Sequence, residues 1–205
     1  MKEQVKLTIS NLERNGFTVR YFQTSEDAKE ALLAEIKPEE SVGFGGSVTV
    51  DQLGIYEALE QQGNTLYWNW KSGPDPEVSK EMRKRAMTTD VYISSTNAIT
   101  QDGRLVNIDG TGNRLAGLLF GHDRNYVIAG VNKIEKNLDE AMIRVKNIAS
   151  PKNNRRLAYN NPCTVTGKCS NCDSPTRICR ATLVLDRQPS AQKTILYLIG
   201  ESLGY

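Results

Sequence analysis

Four cysteines fall within seventeen positions of one another, as Cys163-x5-Cys169-x2-Cys172-x6-Cys179 in NPCTVTGKCSNCDSPTRICR. Four thiolates gathered by a turning backbone suit tetrahedral zinc or an iron–sulfur cluster. Lys168, Arg177 and Arg180 would favour the thiolates and offset their charge. The spacing is neither a paired CxxC ribbon nor the bacterial ferredoxin run, so a reactive thiol or switchable disulfide and plain reduced structural cysteines stand beside the metal reading.

A second chemistry-bearing stretch is Gly43-Phe44-Gly45-Gly46-Ser47-Val48-Thr49, which follows a short apolar run and precedes a helical pattern. The Lys-Ser/Thr of a Walker A loop is missing, and Val48 stands where the dinucleotide fingerprint has its third glycine. What remains is a strand-to-helix turn with little side-chain bulk, in which Gly45, Gly46, Ser47 and Thr49 can offer N–H groups and hydroxyls to a phosphate or carboxylate. The same residues also suit a tight turn closed by a hydroxyl N-cap.

A third cluster lies between Asp90 and Lys133. Asn97, Asp109, Asn113 and Arg114 fall at the ends of β-branched runs, and Arg114 there would be a planar, permanently charged donor facing the glycine turn. The bland alternative has Asp109 capping a helix and Arg114 paired with a nearby carboxylate. Lys133, after the run Val127 to Gly130, adds a second cation or is a surface lysine. His122 is the only histidine and sits in a polar turn with no Ser or Cys motif pointing to it, so a hydrogen-bonded or surface role is expected. Trp68 and Trp70 alternate as strand residues do and read as packing or pocket wall. The basic triplet Arg83-Lys84-Arg85 reads as a solvated helix face.

The elements that must hold these groups follow from periodicity. Helices are expected over residues 2–15, from Thr24 to Pro38, from Leu53 to Gly63, over Glu77 to Met87 and over Leu138 to Ile148, where Ala149-Ser150-Pro151 should break the last; residues 152–159 form a further short basic helix. Strands are expected at Phe17 to Phe22, Ser41 to Phe44, Thr65 to Trp68, Val91 to Ser95, Arg104 to Ile108, Tyr126 to Ala129, Ala181 to Leu185 and Thr194 to Ile199. Thr96-Asn97-Ala98 and Gln101-Asp102-Gly103 read as turns. Strands separated by helices argue for an α/β fold with a mostly parallel sheet and helices on both faces.

With 205 residues and no internal repeat, one domain is expected over 1–205, with the Cys-rich segment at 160–180 as its only break in composition. A net charge of +2 gives no reason to expect nucleic acid. No run approaches the roughly 18 apolar residues of a membrane span, and the start lacks a signal-peptide core, so a cytoplasmic protein is expected.

Taken together, VGFGGSVT at 42–49, SSTNAITQDGRLVNIDGTGNR at 94–114 and VIAGVNKI at 127–134 resemble the LUD domain family, the group related to lactate utilisation protein C. The resemblance covers most of the chain, and the Cys-rich tail looks like a variant found in part of that family. It implies a fold similar to the superfamily of ribose-5-phosphate isomerase, glucosamine-6-phosphate deaminase and the CoA-transferases, whose glycine turn binds a phosphate or acyl-carrying ligand; here that role falls on Gly45, Gly46, Ser47 and Thr49. No counterpart of a CoA-transferase glutamate nucleophile is evident, Glu57 being only a nearby acid. The implied function is lactate-type organic-acid metabolism, with a small anionic ligand and, as partners, other subunits of an oxidoreductase system or further copies of the chain. A stand-alone isomerase or transferase on a sugar phosphate or acyl-CoA, and a Cys-based metal or redox module, are the alternatives.

Overall fold

Every residue from Thr194 to Ile199 is buried, and successive side chains leave opposite faces of the sheet. Ile195, Tyr197 and Ile199 enter one apolar core, Leu196 and Leu198 the other. Tyr126 and Ile128 alternate with Val127 and Ala129 between the same two cores. A strand covered on both sides needs apolar residues at every position, which is why these segments read as continuous hydrophobic runs.

The computed structural model describes residues 1–205. In chain order its first half comprises α1 (Glu3–Arg14), β1 (Thr18–Phe22), α2 (Ser25–Glu35), β2 (Ser41–Phe44), α3 (Val48–Leu53), α4 (Ile55–Gln62), β3 (Thr65–Tyr67) and α5 (Pro76–Arg85). Then come β4 (Val91–Ser95), β5 (Ala98–Thr100), β6 (Leu105–Asp109), α6 (Asn113–Leu119), β7 (Arg124–Gly130) and β8 (Ile134–Glu135). The chain ends with α7 (Leu138–Arg144), α8 (Ser150–Arg156), α9 (Pro162–Thr166), β9 (Ala181–Leu185) and β10 (Thr194–Ile199).

Six strands form a parallel sheet in the order β1-β10-β7-β4-β2-β3. One face is covered by α2, α3 and α4 through Ala28, Leu32, Val50, Leu53, Ile55 and Leu59. The other is covered by Val5 and Leu12 of α1, by Leu118 of α6, and by a second sheet through Ile99, Leu105 and Leu185. This second sheet, β8-β5-β6-β9, has antiparallel β5–β6 and β6–β9 pairs, and α7 packs on its outer side through Ala141.

The second sheet departs from the sequence reading, which placed all strands in one layer. Ala98 begins a short strand instead of belonging to a turn, because Ala98 and Ile99 pair with Val106 and Leu105 across a hairpin. That hairpin turns at Gly103, whose φ of +87° suits glycine. The expected break at Ala149-Ser150-Pro151 also does not occur: a π-helical turn over Val145–Ala149 joins α7 to α8, and Pro151, which has no N–H to give the ladder, follows directly after that irregular turn. Conversely, the helix expected from Leu53 to Gly63 is cut from α3 by Gly54 at φ +63°.

Leu32 is wholly buried between α2 and the sheet. Leu32→Ala should lower unfolding stability by about 2–5 kcal/mol, read from urea denaturation.

Candidate functional site

The carboxyl ends of β2, β4 and β7 open on a cleft of about 320 Å³ lined by 25 residues, of which 8 are hydrophobic. Its position is the one expected of a ligand site in a parallel α/β sheet, outside the strand ends where loops diverge. Gly46, Ser47, Thr49, Asn97, Asp109, Asn113, Arg114 and Lys133 all line it.

The glycine turn forms one wall. The Gly45 amide donates to Ile93 O at 2.9 Å, continuing the β2–β4 ladder, so Gly45 serves the sheet instead of the cleft. A Cβ at Gly45 would stand 2.6 Å from Ser94 Oγ and 3.0 Å from Arg114 Cγ. Close approach of β2 to the opposite wall is what requires glycine there. A Cβ at Gly46 would meet the Trp70 ring at 3.0 Å. Ser47 caps α3, its Oγ accepting from the Val50 amide at 3.2 Å. The amides of Gly46, Ser47 and Val48 have no acceptor within the chain.

The facing wall is built on Arg114, which is buried. Its guanidinium donates to Asn107 Oδ1 at 2.6 Å, Ile108 O at 2.6 Å, Asn97 Oδ1 at 3.0 Å and Ser95 O at 3.3 Å, and Nε lies 3.8 Å from Asp109 Oδ2. Burial pulls its pKa down while Asp109 opposes the shift. Asp109 Oδ1 meanwhile accepts from the amides of Thr111 and Gly112, closing the turn into α6. Asn97 Oδ1 also receives the Ile108 amide at 2.9 Å. Arg114 therefore contributes positive charge to the cleft while its donors are committed to the wall. Of the two arrangements the sequence allowed, this one has Asp109 closing the turn and paired with Arg114.

Lys133 is 3 % exposed, in a short 3-10 turn after β7. Its Nζ lies 2.7 Å from Thr49 Oγ1, 2.9 Å from Ser95 Oγ and 3.1 Å from Thr96 O, with no carboxylate among them. Burial, and then the like charges of Arg144 and Arg114, hold its pKa well below the ordinary lysine range.

Two further cations were missed in the sequence. Arg83 of α5 and Arg156 of α8 line the cleft, and their side-chain partners are neutral, Ser79 Oγ and Asn153 Oδ1. Arg156 lies over the Trp70 ring, 4.2 Å from its centroid, and Trp70 stacks in turn on the buried Trp68. Helix-surface arginines far apart in sequence carry no local signal that they converge. Trp70 was legible as pocket wall, though it sits in a 3-10 turn instead of a strand.

His122 is buried, stacked on Tyr92, with Nδ1 2.8 Å from Thr89 O. Burial lowers its pKa, and it lies away from the cleft as a neutral packing group. Glu57 is ion-paired with Lys71 at 2.6 Å and does not line the cleft.

The expected metal cluster is not assembled. Cys163, Cys169, Cys172 and Cys179 border one cavity of about 20 Å³, yet no three His, Cys, Asp or Glu side chains converge as a metal-holding set. Hydrogen bonds close the loop instead. Arg177 donates to Cys172 O, Cys179 O and Asn171 Oδ1, and Asn161 joins Asn154 to Thr176. Asn154 and the Asn171 amide donate to the sulfurs of Cys163 and Cys169, and burial raises the Cys163 pKa. The segment nonetheless forms part of the cleft, because Ile178 lines both cavities and its backbone would stand only 3.1 Å from a Cβ at Gly110.

The depressed pKa of Lys133 has a signed consequence. Between its folded value and the unfolded value of about 10.4, the unfolded chain holds a proton that the folded chain lacks, so this group's contribution to stability rises with pH. In urea unfolding across that range, the stability difference between wild type and Lys133→Met should shift steadily in favour of wild type as pH rises. A difference independent of pH would contradict the depressed value.

The model of the LUD domain matches residues 5–199 of this chain. No curated protein matches it. Among solved structures, a duf162 family protein from Deinococcus radiodurans is similar with a TM-score of 0.55 at 10% identity, over 96% of each chain, a likeness of fold alone. A ribose 5 phosphate isomerase A from Neisseria gonorrhoeae aligns at a TM-score of 0.35 and 15% identity, over 56% of this chain and 54% of the other. With the family match running across nearly the whole two-sheet fold that frames the cleft, the chain belongs to the LUD domain family.

Proposed function

We propose that this LUD-domain protein binds a small organic anion of lactate-type metabolism in the cleft between the glycine turn and the Arg114 wall. The observation that carries this reading is charge. Arg83, Arg114 and Arg156 line the cleft against one acidic side chain, Asp109, which is already committed to Arg114 and to two backbone amides. The free amides of the glycine turn add donors of the same preference. A volume near 320 Å³ falls at the small end of ligand sites, suited to a compact molecule.

Within a metabolic system the chain would be an anion-binding component of an oxidoreductase whose electron carriers lie on other chains. The family's link to lactate utilisation supports that part. The stand-alone isomerase or transferase is less well supported: Glu57 pairs with Lys71 outside the cleft, and Asp109 is engaged by two backbone amides and by the charge of Arg114. The Cys-based module lacks a converging ligand set.

A thermal-shift titration with lactate and inorganic phosphate tests the anion reading. Ser47→Glu should abolish the ligand-induced rise in Tm, whereas Cys172→Ser should retain it; the opposite pattern would move the function to the thiol segment. Arg156→Ala should weaken binding roughly tenfold, the worth of one charge-assisted hydrogen bond.

A further inference from the structure

We propose that Lys133 is a nucleophilic amine that captures the carbonyl carbon of a small anionic aldehyde or ketone as an imine in the cleft. The inference rests on the anion reading and narrows its substrate class to anions carrying a carbonyl group.

Three features of the site carry it. First, Lys133 is not placed as a counter-ion. Its nitrogen is buried among Thr49 Oγ1, Ser95 Oγ and Thr96 O, all uncharged. A buried ammonium without a carboxylate is costly, and a neutral amine is the form such surroundings favour. The nearby charges of Arg114 and Arg144 act in the same direction.

Second, the neighbours suit an amine with a lone pair. A neutral amine donates twice and accepts once, and a hydroxyl can serve either role. Thr96 O must receive one N–H, one of the two hydroxyls the other, and the remaining hydroxyl can donate to nitrogen until a carbonyl carbon takes its place. Lys133 and both hydroxyl residues line the cleft, at its buried side.

Third, the charge needed to hold the anionic end is supplied elsewhere. Arg83 and Arg156 line the same cleft with neutral side-chain partners, so Lys133 is left free for bond formation. A carbonyl compound with its carboxylate or phosphate on these arginines would be presented to the amine by the electrostatics of the pocket.

The step balances without an oxidant or reductant. The nitrogen lone pair attacks the carbonyl carbon, the C=O π pair moves to oxygen, and oxygen takes up the two protons that nitrogen gives up. The C–O bond then breaks, water leaves and a C=N bond remains; hydrolysis reverses every step.

The full chain is incubated separately with pyruvate and with glycolaldehyde phosphate, reduced with borohydride and mapped by peptide mass spectrometry. Lys133 should be labelled several-fold above every other lysine. Lactate and inorganic phosphate, which lack a carbonyl, should raise Tm without giving a label and should protect Lys133 when added in excess. Lys133→Arg should lose the label, and Thr49→Val, which keeps the lysine, should slow its appearance. If all four compounds raise Tm but Lys133 is labelled no more than surface lysines, the imine is overturned and the anion site stands. If none raises Tm and no label forms, both are overturned.

Discussion

The guanidinium of Arg114 is the interaction on which the cleft depends. It ties the end of β4, through Ser95 O, to the end of β6, through Asn107 and Ile108, with Asn97 and Asp109 closing the ring. β4 belongs to the parallel sheet and β6 to the second one. A buried cation whose four terminal N–H donors are occupied and whose charge faces a carboxylate is tolerated, whereas removal of one partner would leave uncompensated charge in a poorly hydrated place. The two sheets are thus fixed relative to one another at the point where the cleft opens. The field there is positive before any ligand arrives.

Other parts of the fold follow from that junction. Gly45 must lack a side chain because β2 runs against Arg114 and Ser94. Gly117 must lack one because α6, which begins beside Arg114, lies on the Tyr92 ring. Asn97 accepts from Arg114 through Oδ1, while its backbone carbonyl accepts from Arg144 of α7 at 3.0 Å, so the same loop anchors the helix outside the second sheet. Lys133 is buried because the turn after β7 delivers it against Ser95 at the end of β4 and Thr49 in the first turn of α3. The cleft is a by-product of three parallel strands ending together, and its chemistry comes from what the following loops carry.

The Cys-rich segment belongs to this picture as structure. Ile178 closes over Gly110, and Arg180 N donates to Asp109 O as the chain enters β9. The segment therefore lies against the turn that Asp109 organises, and side-chain amides and Arg177 hold it in place. Its cysteines border a cavity of their own, separated from the cleft by Ile178 and Ser150.

Local pattern in the sequence determined most of the strands and helices, a mostly parallel sheet with helices on both faces, and the LUD resemblance. Those follow from apolar periodicity, caps such as Thr24 and glycine-rich stops, which act over a few residues. It also marked Ser47, Thr49, Asn97, Asp109, Asn113, Arg114 and Lys133, because polar residues at strand ends stand out against apolar runs. Only the tertiary structure decided what each one does. Arg114 is spent on the wall because Asn97, Asn107 and Asp109 converge on it. Lys133 lacks a carboxylate because the end of β4 and the first turn of α3 surround it with hydroxyls and a carbonyl. Arg83 and Arg156 reach the cleft from helices α5 and α8, and the second sheet forms because β9 returns to β6 across some seventy residues of chain. Contacts between distant segments depend on the packing of whole layers, and no local spacing encodes them.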